Sequence, residues 1–562
     1  MRLESTIALT LLSLFTCAQN TWVPFPPMAL QPVLKGNYGE LRSNHFHSGI
    51  DLSTQGKIGQ PVRASADGYV SRIKISEYGY GKAIYIDHPN GYTTVYGHLH
   101  RLAPAIEKLV TDEQYKQSKF SVELFPEKNQ LVVRAGDTIA WSGNSGSSAG
   151  PHLHYEIRNT KSEIPLNPLQ FIKNVKDTIP PVIKSISVYG VNKNFTETEE
   201  VKEIIPQRKT DIEYVVENPV ATSALAGLGY CAVDVANDDS AVLGVYEMEM
   251  YAGGQLMYSY RMDDFSFDET RNINGHIDYS KKQHEGNVTE WCFRLPGNSF
   301  SQYRQVVNNG IIRMDSLKTV TLKLVLKDAA GNSSTCLIPL KYDSQIKLKP
   351  LRMAGEQKIV FDKKTEIKRA GYRLIIPEGA LFRNIFYHDS VKKGGKGFFS
   401  QKYTLYDYGE PLKKNLKLAL RTGYSDSAFT NKLLLVKISD KGILSAENSF
   451  YKNGFVSGSI STFGTYAVTM DTVPPQIGDC TVSVDSVYNC PLIAVSVKDN
   501  LSGIKTYAAK INGNWYLSEY DYKNDRILIY LTQPFEGVIK LELTVGDAKQ
   551  NFSSSVSEIN LQ

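Results

Sequence analysis

Residues 147–158 read SSAGPHLHYEIR. In an extended chain positions i and i+2 share a face, so His152 and His154 look the same way while Leu153 points to the other side as a core-facing anchor. Gly and Ser before them favour a turn, and the reading is a β-strand that starts at the paired histidines. A half-buried strand with two surface histidines would look the same in isolation. The rest of the chain has to decide between the two.

At 562 residues the chain is too long for one core, and three to four domains are expected. Its 42% hydrophobic and 22% charged residues are those of a globular protein and exclude a disordered one. Many Tyr, Gly and Pro residues among short alternating runs predict a mostly β fold. A net charge of +5 over this length, with no Lys/Arg run interleaved with aromatics, excludes nucleic acid as a partner. The N-terminus, MRLESTIALTLLSLFTCAQN, has an early Arg, an apolar run from Ile7 to Phe15 and a small-residue exit. That predicts a signal peptide over residues 1–18 and an exported protein. Lipid modification of Cys17 is the rival, and Phe15 and Thr16 before it disfavour that. No segment reaches the roughly 20 apolar residues of a transmembrane helix.

Two segments nearly repeat, DTIPPVIKSISV from Asp177 and DTVPPQIGDCTV from Asp471. Each puts Pro-Pro before an alternating strand, where Pro at the start of an edge strand loses no ladder bond. The matching ends are TLKLVLKDAAGNSS (321–334) and IKLELTVGDAKQNFSS (539–554), and residues 233–254 and 495–514 read as equivalent hairpins. Two Ig-like β-sandwich domains are expected, over 177–345 and 471–562, with a β-rich domain of uncertain type over 346–470. Beyond Cys17, Cys231, Cys292, Cys336, Cys480 and Cys490 form no CxxC motif. Cys480 and Cys490 either pair across a hairpin or, like the others, are small strand thiols. The sequons at Asn194, Asn287, Asn332 and Asn551 are read as chance occurrences.

Seven of the ten histidines fall between His45 and His154, a clustering that points to chemistry at the front. NHFHSGIDLS (44–53) gives His47-x-x-x-Asp51, a nitrogen and a carboxylate oxygen across a Gly-containing turn, which suits zinc. With His154 the count is three protein ligands, leaving a position for water as in a catalytic zinc site. His152 lies beside the metal on the same strand face, placed to take a proton or stabilise an oxyanion. In TTVYGHLHRL (93–102), His98 follows an alternating strand and a glycine. His45 shares a face with His47 if that segment is extended, so it is an alternative first ligand.

HFHSGIDL, YGHL and GNSGSSAGPHLHYEIR, in that order, resemble the lysostaphin-type zinc metalloendopeptidases, or LytM-domain proteins. The likeness covers about residues 35–172 and includes the closing PLNPLQF (165–171). It implies a small antiparallel β peptidase domain over 19–176, ahead of the three β-sandwich-like domains, with the site in a groove between loops. It also implies one Zn²⁺ held by His47, Asp51 and His154, and His98 and His152 as the catalytic pair. The implied substrate is the peptide of bacterial peptidoglycan, and the implied location the periplasm or cell envelope. The alternative is a non-catalytic protein that keeps the fold for wall binding or hydrolase activation; an adhesin built on the rear domains would leave the front unexplained. The Ig-like domains would be spacers, wall-binding modules or docks for a partner. The longer connection after YGHLHRL is helical from Ala105 to Gln117, and is either one wall of the groove or a peripheral insertion. GNSGSSAG lacks the Lys-Ser/Thr ending of a phosphate loop and precedes a strand; its glycines let the backbone approach a substrate closely. EYGYGKAIYIDH (77–88) reads as a hairpin.

Overall fold

A computed structural model of the chain describes residues 22–196, 198–237, 241–286, 288–348, 357–406, 409–424 and 426–561. The expected signal peptide and Cys17 lie outside the described residues. Strands account for 48% of the chain and helix for 8%, the mostly β class that the alternating runs predict.

The front of the chain is one antiparallel sheet of eleven strands. These are β1 (Leu34–Gly36), β2 (Ile50–Ser53), β3 (Pro61–Arg63), β4 (Gly68–Ile75), β5 (Lys82–Asp87) and β6 (Tyr92–Leu102), then β7 (Val122–Leu124), β8 (Val132–Val133), β9 (Thr138–Ser142), β10 (His152–Asn159) and β11 (Pro165–Leu166). The main path runs β1-β2-β10-β6-β5-β4-β7, so β10 lies between β2 and β6. The hairpin expected over 77–88 is the β4–β5 turn. Leu153, Tyr155 and Ile157 of β10 are fully buried in the core beneath, which anchors the strand and fixes its opposite face.

Helix α1 (Pro104–Gln117) starts with Pro at its first turn and ends at Ser118, a left-handed residue with φ 51° whose N–H caps the last carbonyls. It does not form a wall of the histidine groove. Ile106 and Val110 are buried, and its outer side meets the end of the chain, with Tyr115 edge-on to Trp515 at 5.0 Å. Around it Lys82 pairs with Glu519 at 2.9 Å, His100 with Asp485 at 3.0 Å, and the Tyr488 hydroxyl donates to Glu107 at 3.0 Å.

Two facing sheets, of five and eight strands, follow the front sheet and enclose a core from Ile183 to Leu340. Tyr38 and Phe46 belong to that same core, with Phe46 stacked on Phe300 at 4.5 Å. Burying one such ring is worth about 1.5–3 kcal/mol, so packing ties the segment before β2 to the following region. Two five-stranded sheets then enclose the core from Ile359 to Val468, and two four-stranded sheets the core from Ile493 to Ile559.

The expected hairpins at 233–254 and 495–514 are crossovers instead. Leu225–Val233 and Glu247–Ala252 sit in different sheets, as do Cys490–Lys498 and Ile504–Ile511. The chain passes from one sheet to the other after Asp234 and after Asp499, and the tight turns come later, at Gly253-Gly254 and Asn512-Gly513, where φ is positive. Pro180 and Pro181 precede Val182–Val191, which is paired on both sides and is no edge strand. Cys480 and Cys490 are free thiols; their partners across the ladder are Val495 and Asp485, so they do not face each other.

Candidate active site

The alternation of β10 puts His152, His154, Glu156 and Arg158 on the face away from the core. β2 runs antiparallel beside it with Asp51 directly opposite His154, and opposed residues project from the same face. Gly49 makes the approach possible: a Cβ there would lie 2.4 Å from the Tyr155 carbonyl oxygen and 2.8 Å from Glu156 Cγ. His47 arrives from the turn before β2, held by the burial of Phe46 and by its Nδ1–H donating to the Asn37 carbonyl at 2.8 Å.

Three donor atoms converge. Asp51 Oδ1 is 3.1 Å from His47 Nε2 and 3.0 Å from His154 Nδ1, and the two nitrogens are 3.0 Å apart. Donors on a tetrahedral ion with bonds of about 2.0 Å would be about 3.3 Å apart, so the set fits zinc. His45 is exposed and its Nδ1 bonds the Ser43 carbonyl, so His47 is the residue brought against Asp51 and His154. Arg42 takes the other oxygen of Asp51 at 2.9 Å and leaves Oδ1 to the imidazoles.

His98 reaches the site by a backbone irregularity. Gly97 stands opposite His154 in the ladder, so by simple alternation residue 98 would point away. His98 instead has φ 59°, a left-handed conformation that is uncommon for a non-glycine residue, and its ring comes to 4.8 Å from His152 and 5.8 Å from His154, centroid to centroid. Its Nδ1–H donates to the Ser145 carbonyl at 2.8 Å, and that of His152 to the Gly150 carbonyl at 2.8 Å. Both Nε2 atoms are thereby left for the groove, that of His152 lying 3.3 Å from Asp51 Oδ1.

The charges are sharply graded. Burial works against the carboxylate of Asp51, yet His47, His152 and His154 outweigh it and hold its pKa well below the usual range. Burial also opposes charge on His154, but Asp51 and Glu156, hydrogen-bonded at its two nitrogens, raise it to about 9. His98 goes the other way, down to about 3, through burial and then the neighbouring His152 and His154. Without a metal, His154 therefore holds its proton more tightly than an ordinary imidazole and His98 less tightly.

Glu156 escaped the sequence reading. It is fully buried and accepts from His154 Nε2 at 2.9 Å, Ser48 Oγ at 2.7 Å, Arg158 Nε at 2.6 Å and the Tyr80 hydroxyl. A carboxylate on the outer nitrogen of a ligand histidine fixes its orientation and basicity. The signal was there as the alternation His-x-His-x-Glu-x-Arg, four polar residues on one face of a strand whose other face is core. Tyr80, stacked on His154 at 4.9 Å, carried no such signal.

The five residues line a groove of about 1460 Å³, larger than the several hundred Å³ of a typical small-molecule pocket. Part of its rim is supplied by Phe267 and Thr270 of the following region. The Gly/Ser loop ahead of β10 is gripped by the far end of the chain: the Tyr522 hydroxyl donates to Ser147 Oγ at 2.9 Å, and Lys523 Nζ to the Ser148 carbonyl at 3.0 Å.

Comparison with known proteins meets the same part of the chain. Residues 45–115 match the profile of Peptidase family M23, and residues 356–471 that of a Zu5-like domain. Over 129 residues the chain is 36% identical to the DD-carboxypeptidase/endopeptidase Mpg of Neisseria meningitidis serogroup B, covering 23% of each protein. It is 33% identical over 134 residues to the peptidoglycan DD-endopeptidase ShyC of Vibrio cholerae, covering 24% of this chain and 23% of that protein. The chain thus spans about a quarter of the length of these relatives. Among solved structures, the catalytic domain of lysostaphin from Staphylococcus simulans is 26% identical and aligns over 24% of this chain and 89% of that one, with a TM-score of 0.19.

Proposed function

We propose, from the LytM-type Peptidase M23 domain that the front of this chain carries, that the protein is an exported, zinc-dependent endopeptidase that hydrolyses peptide bonds in the stems or cross-links of peptidoglycan. The observation that carries this reading is the convergence of His47 Nε2, Asp51 Oδ1 and His154 Nδ1 in a groove that His98 and His152 also face. The names of the Neisseria and Vibrio relatives support the substrate class, and the volume of the groove suits a peptide. Residues 177–345 and 471–562 are read as Ig-like modules and the cell envelope as the site of action.

Zn²⁺, when bound, would be held by His47, Asp51 and His154 and would supply Lewis acidity and the activation of water. The chain's own residues do the rest. Glu156 and the Asn37 carbonyl fix the ligand rings, and Arg42 orients Asp51. His98, neutral because it is buried, offers its Nε2 lone pair to a proton. His152, on the open side, presents its Nε2 lone pair to the water's proton, and once it has taken that proton it donates a hydrogen bond from Nε2 to oxygen charge developing on the scissile carbonyl. Digestion of peptidoglycans of several cross-link types, with and without a chelator, tests the reading by mass analysis of the fragments. Chelator-sensitive peptide products are expected; none from any wall type would leave the non-catalytic alternative.

Metal uptake is also expected to depend on pH. Raised to about 9, His154 carries in the metal-free protein a proton that a metal at Nδ1 must displace. The contribution of that imidazolium to metal-free stability is present below its ordinary range and is lost as pH rises through 9. Metal affinity has the opposite sign, rising about tenfold per pH unit from neutrality toward 9 and then levelling. Competition with a fluorescent zinc chelator at pH 7, 8 and 9 measures it; a flat profile would show that His154 is neutral.

A further inference from the structure

Asp177 before the strand Val182–Val191, Asp234 after Leu225–Val233 and Asp328 after Thr319–Lys327 each bring a carboxylate oxygen to within 4.8 Å of the others. Asp234 is 2% and Asp328 3% exposed. Among the described residues Oδ1 of Asp234 is buried without a hydrogen-bond partner, an unfavourable arrangement for an anion unless a cation meets it. Burial first, and then the negative charges of Asp328 and Asp177, push Asp234 up to about 8. Asp328 itself is rigidly set: Ala330 N and Asn332 N donate to its Oδ1, and Asn332 Nδ2 donates to its Oδ2 at 2.7 Å and to the Asp177 carbonyl at 3.3 Å.

The same frame is built twice. Asp471, Asp499 and Asp547 hold the corresponding positions, again with oxygens within 4.8 Å. Asn551 Nδ2 donates to Asp547 Oδ2 at 2.6 Å and to the Asp471 carbonyl at 3.1 Å. Asn332 and Asn551 head two of the chance sequons, and their amides are occupied in these frames. In the second copy Lys549 lies close enough to interact with both Asp471 and Asp547, so positive charge is already at hand. Among the described residues no cation acts on the carboxylates of the first copy.

We propose that Asp177, Asp234 and Asp328 bind one hard divalent cation, calcium being the ion favoured by an all-oxygen set of carboxylates on loops. Zinc would call for the nitrogen or sulfur donors that this cluster lacks. The site lies at a joint. The loop from Asp234 closes on Leu243 by a pair of backbone hydrogen bonds, and Ala236 and Leu243 of that loop pack in the core of the front sheet. A cation there ties the linker at 177, this loop and the turn at 328 together, and so holds the following region, with Phe267 and Thr270, against the groove.

Calcium bound per chain is counted by equilibrium dialysis and native mass spectrometry on the zinc-loaded full chain, for the parent and for Asp234→Asn and Asp177→Asn. The parent is expected to bind one more Ca²⁺ than either variant, and calcium is expected to raise the melting temperature of the parent alone. Removing a negative charge from the cluster should leave the calcium-free variants melting no lower than the calcium-free parent, which shows that they fold. Equal counts in all three proteins, whether zero or more, would overturn the proposal.

Discussion

Replacing Asp51 by Ala is expected to remove zinc and peptidoglycan hydrolysis together. Oδ1 of Asp51 is the one anionic donor in the set and the atom that His47, His154 and His152 all approach, at 3.1, 3.0 and 3.3 Å. Structural zinc in small sites binds with on the order of 10–16 kcal/mol, so losing one of three protein donors costs about 4 kcal/mol, or about 10³-fold in affinity. Without the carboxylate, Arg42 and a protonated His154 also face each other's charge across the gap. Zinc content by atomic emission should fall to background and fragment release below detection, while the circular dichroism of this strand-rich chain stays unchanged. The exposed His45 serves as the control, because His45→Ala should keep its zinc. Full zinc content in Asp51→Ala would remove Asp51 from the ligand set, and zinc loss in His45→Ala would reopen the choice between His45 and His47.

The parts of this site that could be read from the sequence are those in which chain-local geometry dictates where a side chain goes. Period-two alternation alone puts His152 and His154 on one face and Leu153 in the core, and the same rule extended to Glu156 would have found the residue that orients His154. His98 obeys no local rule: alternation sends it to the wrong face, and a left-handed residue in β6 turns it back. The crossovers at residues 233–254 and 495–514 fail as hairpins for a related reason. Two alternating runs joined by an Asp-rich loop look alike whether the second strand pairs with the first or packs across from it, and which occurs is settled by the core that the two sheets share. Least legible were contacts distant in sequence. Nothing near residue 522 announces that Tyr522 holds the Ser147 hydroxyl and Lys523 the Ser148 carbonyl, and nothing in α1 says that its outer side is covered by Trp515. Residues at the rear of the chain therefore hold the loop that borders the groove.

His152→Ala separates chemistry from metal binding more cleanly than any other change. The ring is anchored through its Nδ1 to the Gly150 carbonyl at 2.8 Å, and its contact with Asp51 is longer than those made by His47 and His154, so zinc should remain at one per chain. Its side chain is 14% exposed on the groove side, and truncation should leave folding stability within about 1 kcal/mol, the range of changes away from core and networks. What it removes is a ring whose Nε2, once it has taken a proton, donates where oxyanion charge develops, and such a group is worth about 10²–10³-fold in kcat. KM should change little, because a hydrogen bond made mainly in the transition state contributes little to ground-state binding. His98 supplies the contrast. Burial beside His152 and His154 keeps its ring neutral and its Nε2 lone pair faces the groove, so His98→Ala should lower kcat as well, and the double variant should be little worse than the poorer single one if the two rings act in one step. The experiment is a set of steady-state measurements on a soluble cross-linked peptide, with zinc determined on the same samples. Retained full activity in zinc-replete His152→Ala would take that residue out of the chemistry and leave His98 as its proton carrier; additive losses in the double variant would place the two histidines in separate steps.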